Sequence, residues 1–229
     1  MEVKNRIYIL LLLLMNNSLL SQSRHFSKEE KETFLLGMFN HYNGNTYIPT
    51  HPVLKNRLTF FLNDKESLIK VFKDTLLQYS LENNFKYEMR QSAFTELYKL
   101  EDDNPFGKYF IKKRFTNDFY YDEKDDQEYP LYFLYLNKKA FKEKNSQISF
   151  LLGAFINNGI VLSDDKYVFK SGNTAYINFV IVLLKKLNVK ILKIEGPNES
   201  TLGGMRSVFF EPSGELKIML KKNSNLGKN

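Results

Sequence analysis

Residues 131–157, LYFLYLNKKAFKEKNSQISFLLGAFIN, place two kinds of secondary structure next to each other. The run 131–136 consists of leucine and aromatic residues without interruption, which is typical of a strand buried on both faces of a sheet. From Ser146 to Asn157 the apolar residues instead recur at helical spacing, which predicts a helix that ends at Gly159. The sequence therefore predicts a chain that mixes helices and strands.

The chain beyond this stretch continues the mixture. Short strands are predicted at 166–170, 189–194 and 207–210. Residues 211–214, EPSG, predict a hairpin turn into a last strand at 215–220. The segment 175–187 is apolar nearly all round, and capping by Asn173 or Thr174 favours a helix, although its β-branched residues leave a strand open.

The chain before this stretch predicts mainly helices. A capping box over Ser27–Glu30 begins the first helix, which is predicted to stop at Gly44. Further helices are predicted at 64–81 and 87–100, followed by a strand at 108–115 and a polar loop at 116–128. The fold class is therefore α+β, with a helical part (24–128) packed against a mixed sheet formed mainly by 129–221. No internal repeat is identified.

The first 23 residues have the pattern of a secretory signal peptide. Lys4 and Arg6 precede the apolar run 7–15, and small residues follow at Ser21 and Ser23. The run is shorter than the roughly 20 residues that span a bilayer, although an uncleaved anchor remains an alternative. The predicted organisation is a signal peptide (1–23) and a single domain (24–229), exported to the periplasm or beyond.

Composition restricts the chemistry. The chain has no Cys, which excludes disulfides, thiol nucleophiles and Cys-ligated metal centres. Residues 129–229 carry 15 Lys and Arg against 7 Asp and Glu, whereas residues 24–128 carry 16 against 18. A basic C-terminal half suits an anionic envelope surface, an acidic glycan or an acidic protein. Because 14 of those 15 cations are Lys, nucleic acid is predicted to be an unlikely partner.

The loop 195–206, EGPNESTLGGMR, is the candidate ligand site. It links two predicted strands and is longer than an ordinary hairpin loop. Gly203 and Gly204 let the backbone approach a ligand, and Glu195 lies at its start. Arg206, the one Arg after residue 114, supplies a planar cation for a carboxylate or phosphate. The alternative is a surface loop in which Arg206 pairs with a nearby glutamate.

Other candidate motifs favour ordinary structural roles. His25, His41 and His51 have no metal-ligand spacing, and no metal or cofactor is predicted. The acidic cluster 122–128 does not fit the EF-hand pattern, so a hydrated loop is favoured over a calcium site. No nucleophilic serine motif is present.

The function predicted from these observations is an exported, non-catalytic binding protein of the cell envelope. The alternative is a hydrolase of an envelope polymer that uses two carboxylates as general acid and base, with Glu195 and Glu211 as the candidate pair.

Overall fold

The computed structural model describes residues 26–39, 46–48, 57–62, 66–91, 95–100, 105–197 and 204–223. Within these ranges it contains five α-helices and ten β-strands in antiparallel sheets, which confirms the α+β class. No helix in the described ranges has both the length and the apolar character needed to cross a bilayer. The division into residues 1–23 and 24–229 stays a prediction, because residues 1–25 lie outside the described part.

The helices and strands follow one another along the chain in two similar series. The helices are α1 (Lys28–Met38), α2 (Glu66–Asn83), α3 (Lys144–Asn158), α4 (Thr174–Lys186) and α5 (Gly214–Asn223). The strands are β1 (Thr46–Tyr47), β2 (Arg57–Leu62), β3 (Tyr87–Gln91), β4 (Thr95–Leu100), β5 (Phe110–Asp122), β6 (Gln127–Leu136), β7 (Gly159–Val161), β8 (Tyr167–Ser171), β9 (Lys190–Glu195) and β10 (Arg206–Glu211). They form three sheets, in the orders β2-β4-β3, β1-β6-β5 and β7-β8-β10-β9.

Helices α1 and α3 pack against each other with their backbones in contact. A Cβ atom on Gly37 would lie 2.1 Å from the carbonyl oxygen of Phe150, and one on Gly153 would lie 2.1 Å from the carbonyl oxygen of Phe34. The two contacts are reciprocal, which is the pattern of a local two-fold axis between the helices. Real Cβ atoms do not approach an oxygen so closely. Both positions therefore require glycine.

The reciprocal contact reflects an internal repeat that the sequence analysis missed. Residues 34–39 read FLLGMF and residues 150–155 read FLLGAF, and α1 and α3 both begin 116 positions apart, at Lys28 and Lys144. After each of these helices come two strands, a second helix and two more strands. The sheet order β2-β4-β3 in the first half corresponds to β8-β10-β9 in the second half. The prediction of no internal repeat is wrong. The repeat was missed because the sequence similarity that shows it is confined to six residues in each half.

One part of the hydrophobic core lies between the helix pair and the inner face of the second-half sheet, and the same core continues to α2 through Phe72 and Tyr79. Phe155 of α3 packs edge-on against Phe169 of β8, which stacks on Phe210 of β10 at 5.1 Å between ring centroids. The phenol of Tyr176 in α4 donates a 2.6 Å hydrogen bond to the carbonyl of Gly37. Helix α4 and the sheet therefore hold α1 in place at the glycine contact.

Strands β5 and β6 form a long hairpin between the two halves of the repeat. Strand β5 has 13 residues and β6 has ten, and nine pairs join them on the two sides of a register shift between Arg114 and Phe119. Strand β1 pairs with β6 at two positions, Thr46 with Phe133 and Tyr47 with Tyr132. At about 3.3 Å per residue, the ten residues of β6 span roughly 30 Å, and β6 sets the length of the hairpin because β5 has extra residues at the register shift. We call residues 110–136 the ribbon.

Three predicted elements are wrong. The predicted helix 87–100 is instead the antiparallel pair β3 and β4. The predicted loop 116–128 continues as strand to Asp122, because β6 pairs with it, and the turn occupies 123–126. The predicted strand 215–220 is α5, which Gly214 begins with a positive φ of 53°.

Candidate nucleic-acid interface

Three consecutive cations are exposed at the base of the ribbon. Lys112, Lys113 and Arg114 lie on β5 at positions opposite Leu134, Phe133 and Tyr132 of β6, respectively. The ammonium of Lys113 lies 5.1 Å from the ring centroid of Tyr135. Because side chains alternate across a strand, the three cations are presented on both faces of the ribbon. The result is a positively charged surface interleaved with aromatic rings.

The base of the ribbon is fixed to the helical core by a buried carboxylate. Glu32 of α1 is fully buried and accepts hydrogen bonds from the phenols of Tyr79 and Tyr109, each 2.7 Å long. Its second oxygen also lies 2.6 Å from the ammonium of Lys108, whose side chain is 56% exposed. Since Lys108 and Tyr109 immediately precede β5, these bonds set where the ribbon leaves the core.

The same arrangement perturbs the two tyrosines. Burial, and then the hydrogen bond to Glu32, raise the pKa of Tyr79 far above its ordinary value of 10.0. The pKa of Tyr109 is raised for the same reasons in the same order. Both phenols therefore remain hydrogen-bond donors throughout the physiological pH range.

The tip of the ribbon has the opposite charge. Its turn and flanking positions contain Asp122, Glu123, Asp125, Asp126 and Glu128, with Lys124 as the cation among them. The phenol of Tyr129 donates to Asp125, and this bond, followed by burial, raises the pKa of Tyr129 to about 12. Tyr121 donates similarly to Asp126. The acidic cluster is thus an ordered turn, and a polyanion is repelled from it.

The outer face of the second-half sheet is close to neutral. Lys190 of β9 pairs with Glu211 of β10 at 2.9 Å, and Lys193 pairs with Glu195 at 2.5 Å. Lys170 of β8 is exposed on the same face, opposite Ser207. The basic excess of the C-terminal half is therefore not concentrated on this sheet.

The loop predicted to bind ligand begins and ends in the described part of the chain. Arg206 is 5% exposed, and its guanidinium donates to the carbonyl oxygen of Pro197. Glu195 lies on the exposed edge of the sheet, and Gly204 is half-buried. Gly203 lies outside the described residues. Ligand binding by Arg206, Gly203, Gly204 and Glu195 stays a prediction.

The carboxylates suggested for hydrolysis are not brought together. Glu195 lies opposite Ser207, four residues before Glu211 along β10, so the two carboxylates lie at opposite ends of the strand pair, roughly 13 Å apart. Each is paired with a lysine.

His25, His41 and His51 lie outside the described residues. Among the described residues, no three or more acidic or histidine side chains form a group that could hold a metal ion.

Sequence reasoning missed the cations of the ribbon. The signal was present as KYFIKKRF at 108–115, which was correctly predicted as an exposed strand. Its charge was hidden because the acidic tip lies in the same half of the chain. Averaged over 105 residues, the two opposite charges cancel.

Comparisons with known proteins give distant structural similarities. No family model matches the chain, and no curated protein is similar to it in sequence. The crystal structure of I-DmoI in complex with DNA and Mn has 14% identity and a TM-score of 0.42, covering 89% of this chain and 99% of that one. A structure of mesophilic variants of the homing endonuclease I-DmoI has 14% identity and a TM-score of 0.45, covering 85% and 88%. The N-terminal LAGLIDADG domain of DUF199/WhiA has 12% identity and a TM-score of 0.39, covering 88% and 84%.

These similarities correct the functional predictions made from the sequence. The similar structures are those of an endonuclease bound to DNA and of a LAGLIDADG domain. The prediction of an exported binding protein or hydrolase of the cell envelope is therefore wrong. The same finding contradicts the predicted periplasmic or extracellular location, the predicted envelope partners and the prediction that nucleic acid is an unlikely partner. Those predictions relied on the first 23 residues and on the scarcity of Arg after residue 114. Neither feature gives information about the cations of the ribbon at 112–114.

Proposed function

We propose that this protein binds double-stranded DNA through the base of the ribbon. The observation that carries the proposal is the row Lys112, Lys113 and Arg114, exposed on a strand whose neighbour presents aromatic and apolar side chains. Cations on a rigid strand neutralise phosphates and release their counterions, which provides most of the affinity for DNA. The DNA-bound structure among the distant neighbours is consistent with this partner.

The shape of the ribbon supports a duplex as the ligand. The major groove of B-DNA admits a two-stranded antiparallel ribbon, and the ribbon here consists of two strands along most of its length. Arg114 carries the planar group that contacts a phosphate or a guanine edge with two parallel hydrogen bonds. The Glu32 contacts hold the base of the ribbon rigid, so little ordering is required on binding.

The charge along the ribbon indicates which part contacts DNA. The cations lie at 112–114, whereas the acidic turn lies at 122–128. A duplex is attracted to the base and repelled by the tip. We therefore place the DNA beside the base of the ribbon, with the tip directed away from the phosphates. The proposal is of binding and assigns no hydrolytic step.

The experiment is a salt series of fluorescence anisotropy with a labelled duplex. The variant Lys112→Ala/Lys113→Ala/Arg114→Ala removes three cations. If each contacts one phosphate, the slope of log K against log salt becomes shallower by about 2.7. The affinity at low salt should fall by at least tenfold.

The matched control removes the same charge elsewhere. Lys217, Lys221 and Lys222 are three cations of α5, which packs on the helical side of the second half. The variant Lys217→Ala/Lys221→Ala/Lys222→Ala should retain the wild-type slope to within about one unit. Equal losses in the two triple variants would show that net charge alone governs binding, and the proposal would be wrong. Absence of wild-type binding at low salt would also refute it.

A further inference from the structure

Strand β9 forms an edge of the second-half sheet. In the described part of the chain it pairs with β10 on one side and with no other strand. Leu192 and Ile194 of this strand are each 39% exposed. An edge that leaves apolar side chains and backbone groups uncovered is suited to pairing with another strand.

A β-bulge gives this edge an unusual pattern. Lys193 pairs with Phe209, but the next residue of β10, Phe210, pairs with Ile191, so Leu192 is an extra residue. Val208 and Phe210 both face the core, so their partners Ile194 and Ile191 lie on the inner face although they are three positions apart. A regular strand has its side chains on opposite faces at that spacing. It cannot match both isoleucines at once.

A second copy of β9 does match this pattern. In an antiparallel pair related by a two-fold axis between Leu192 and Lys193, each Ile191 lies opposite the other copy's Ile194 on the inner face. Each Lys190 lies opposite the other copy's Glu195 on the outer face, since Glu211 and Ser207, their partners on β10, are both on that face. The two bulges meet at the centre of the pair. The six residues KILKIE are therefore complementary to themselves in both charge and hydrophobicity.

We propose that β9 is a self-association surface, through which two copies of the chain join their second-half sheets into one continuous eight-stranded sheet. The contact is small compared with the 20–30 residues on each side of a typical stable interface, so the dimer is weak and its population rises with protein concentration. Lys190 and Glu195 define the register. The bulge excludes regular strands and so limits pairing with unrelated proteins.

The experiment uses two charge reversals in the full chain without DNA. Lys190→Glu places two acidic side chains opposite each other at both ends of the pair, and Glu195→Lys places two basic ones there. Sedimentation equilibrium should show a wild-type dimer and at least about tenfold weaker self-association for each variant. A mixture of the two variants restores both opposite-charge contacts. We expect a heterodimer that associates about as strongly as the wild type.

The mixture is decisive because it does not restore the contacts within one chain. Lys190→Glu loses the bond to Glu211, and Glu195→Lys loses the bond to Lys193, whether or not the variants are mixed. Thermal unfolding of each variant tests whether the fold is retained, and small changes are expected for exposed pairs. A wild type that is monomeric at every concentration would overturn the proposal. So would variants that associate as the wild type does, or a mixture no stronger than its components.

Discussion

At the scale of single residues, Glu32 makes three polar contacts although its side chain is fully buried. It accepts hydrogen bonds from two phenols and pairs with Lys108, so its removal leaves buried hydroxyl groups without their acceptor. We expect Glu32→Ala to lower the free energy of unfolding by about 3 kcal/mol. Chemical denaturation measures this, with Glu123→Ala in the exposed turn as the control expected to change little. A loss below about 1 kcal/mol would mean that the arrangement around Glu32 relaxes freely.

The tyrosines around Glu32 predict a loss of stability in alkali. Their pKa values are raised in the folded state, so above pH 10 the unfolded chain releases protons that the folded chain retains. This contribution to stability is complete below pH 10 and is lost as the pH rises further, by up to about 1.4 kcal/mol per pH unit for each phenol. Tyr79→Phe or Tyr109→Phe should make the decline shallower by that amount. Denaturant titrations between pH 9 and pH 11 give the slopes, and identical slopes in wild type and variant would contradict the prediction.

Arg206 can be tested by one conservative substitution. Its guanidinium is buried and donates to Pro197, so Arg206→Lys removes the planar group from a site with little access to water. We expect the midpoint of thermal unfolding to fall by several degrees. The ligand-binding prediction for the loop 195–206 requires a different result, an unchanged midpoint with weaker binding of a ligand that carries a carboxylate or phosphate. Calorimetry of thermal unfolding separates the two outcomes, since only a structural role of Arg206 lowers the midpoint.

At the scale of elements, the contact between α1 and α3 leaves no room for a methyl group. We expect Gly37→Ala and Gly153→Ala each to destabilise the fold by about 3 kcal/mol or more, because the added carbon meets a backbone oxygen that cannot move alone. Gly172→Ala is the control, since a Cβ atom there meets nothing within 4 Å. Urea denaturation provides the comparison. Equal stability of Gly37→Ala and Gly172→Ala would show that the helices can separate without cost.

The elements also differ in how well sequence predicts them. The ends of helix α3 were predicted to within two residues, because its apolar residues recur at helical spacing and Gly159 marks its end. The pair β3 and β4 was read as a helix because Met89, Ala93, Phe94, Leu97 and Leu100 recur at helical spacing. Pairing with neighbouring strands determines their structure, and no local pattern contains that information. Helix α5 was predicted as a hairpin strand, because turn residues such as Pro212 to Gly214 precede strands and helices alike.

At the scale of the whole molecule, the division of charge between the two halves does not indicate where the exposed cations of the ribbon lie. The basic C-terminal half places lysines in pairs with Glu195, Glu211 and Asp165, whereas the nearly neutral first half supplies the cations of the ribbon. The prediction of an exposed strand at 108–115 was sound, and its charge was visible in the sequence. The sequence could not predict that the acidic residues 122–128 lie at the turn of a long hairpin, at the opposite end from the cations at 112–114.

The reciprocal glycine contact has a consequence for how the chain is made. Residues 30–38 of α1 are buried, largely against α3, yet Gly153 is synthesised 116 residues after Gly37. At about 5–20 residues per second, α1 leaves the ribosome roughly 6–23 s before its partner exists. During that interval the face of α1 that packs on α3 has no partner, whereas α2 already contacts α1 through Tyr79 with Glu32 and Glu82 with Lys31. Nascent chains that stall between the two helices are therefore the species that molecular chaperones must protect from aggregation.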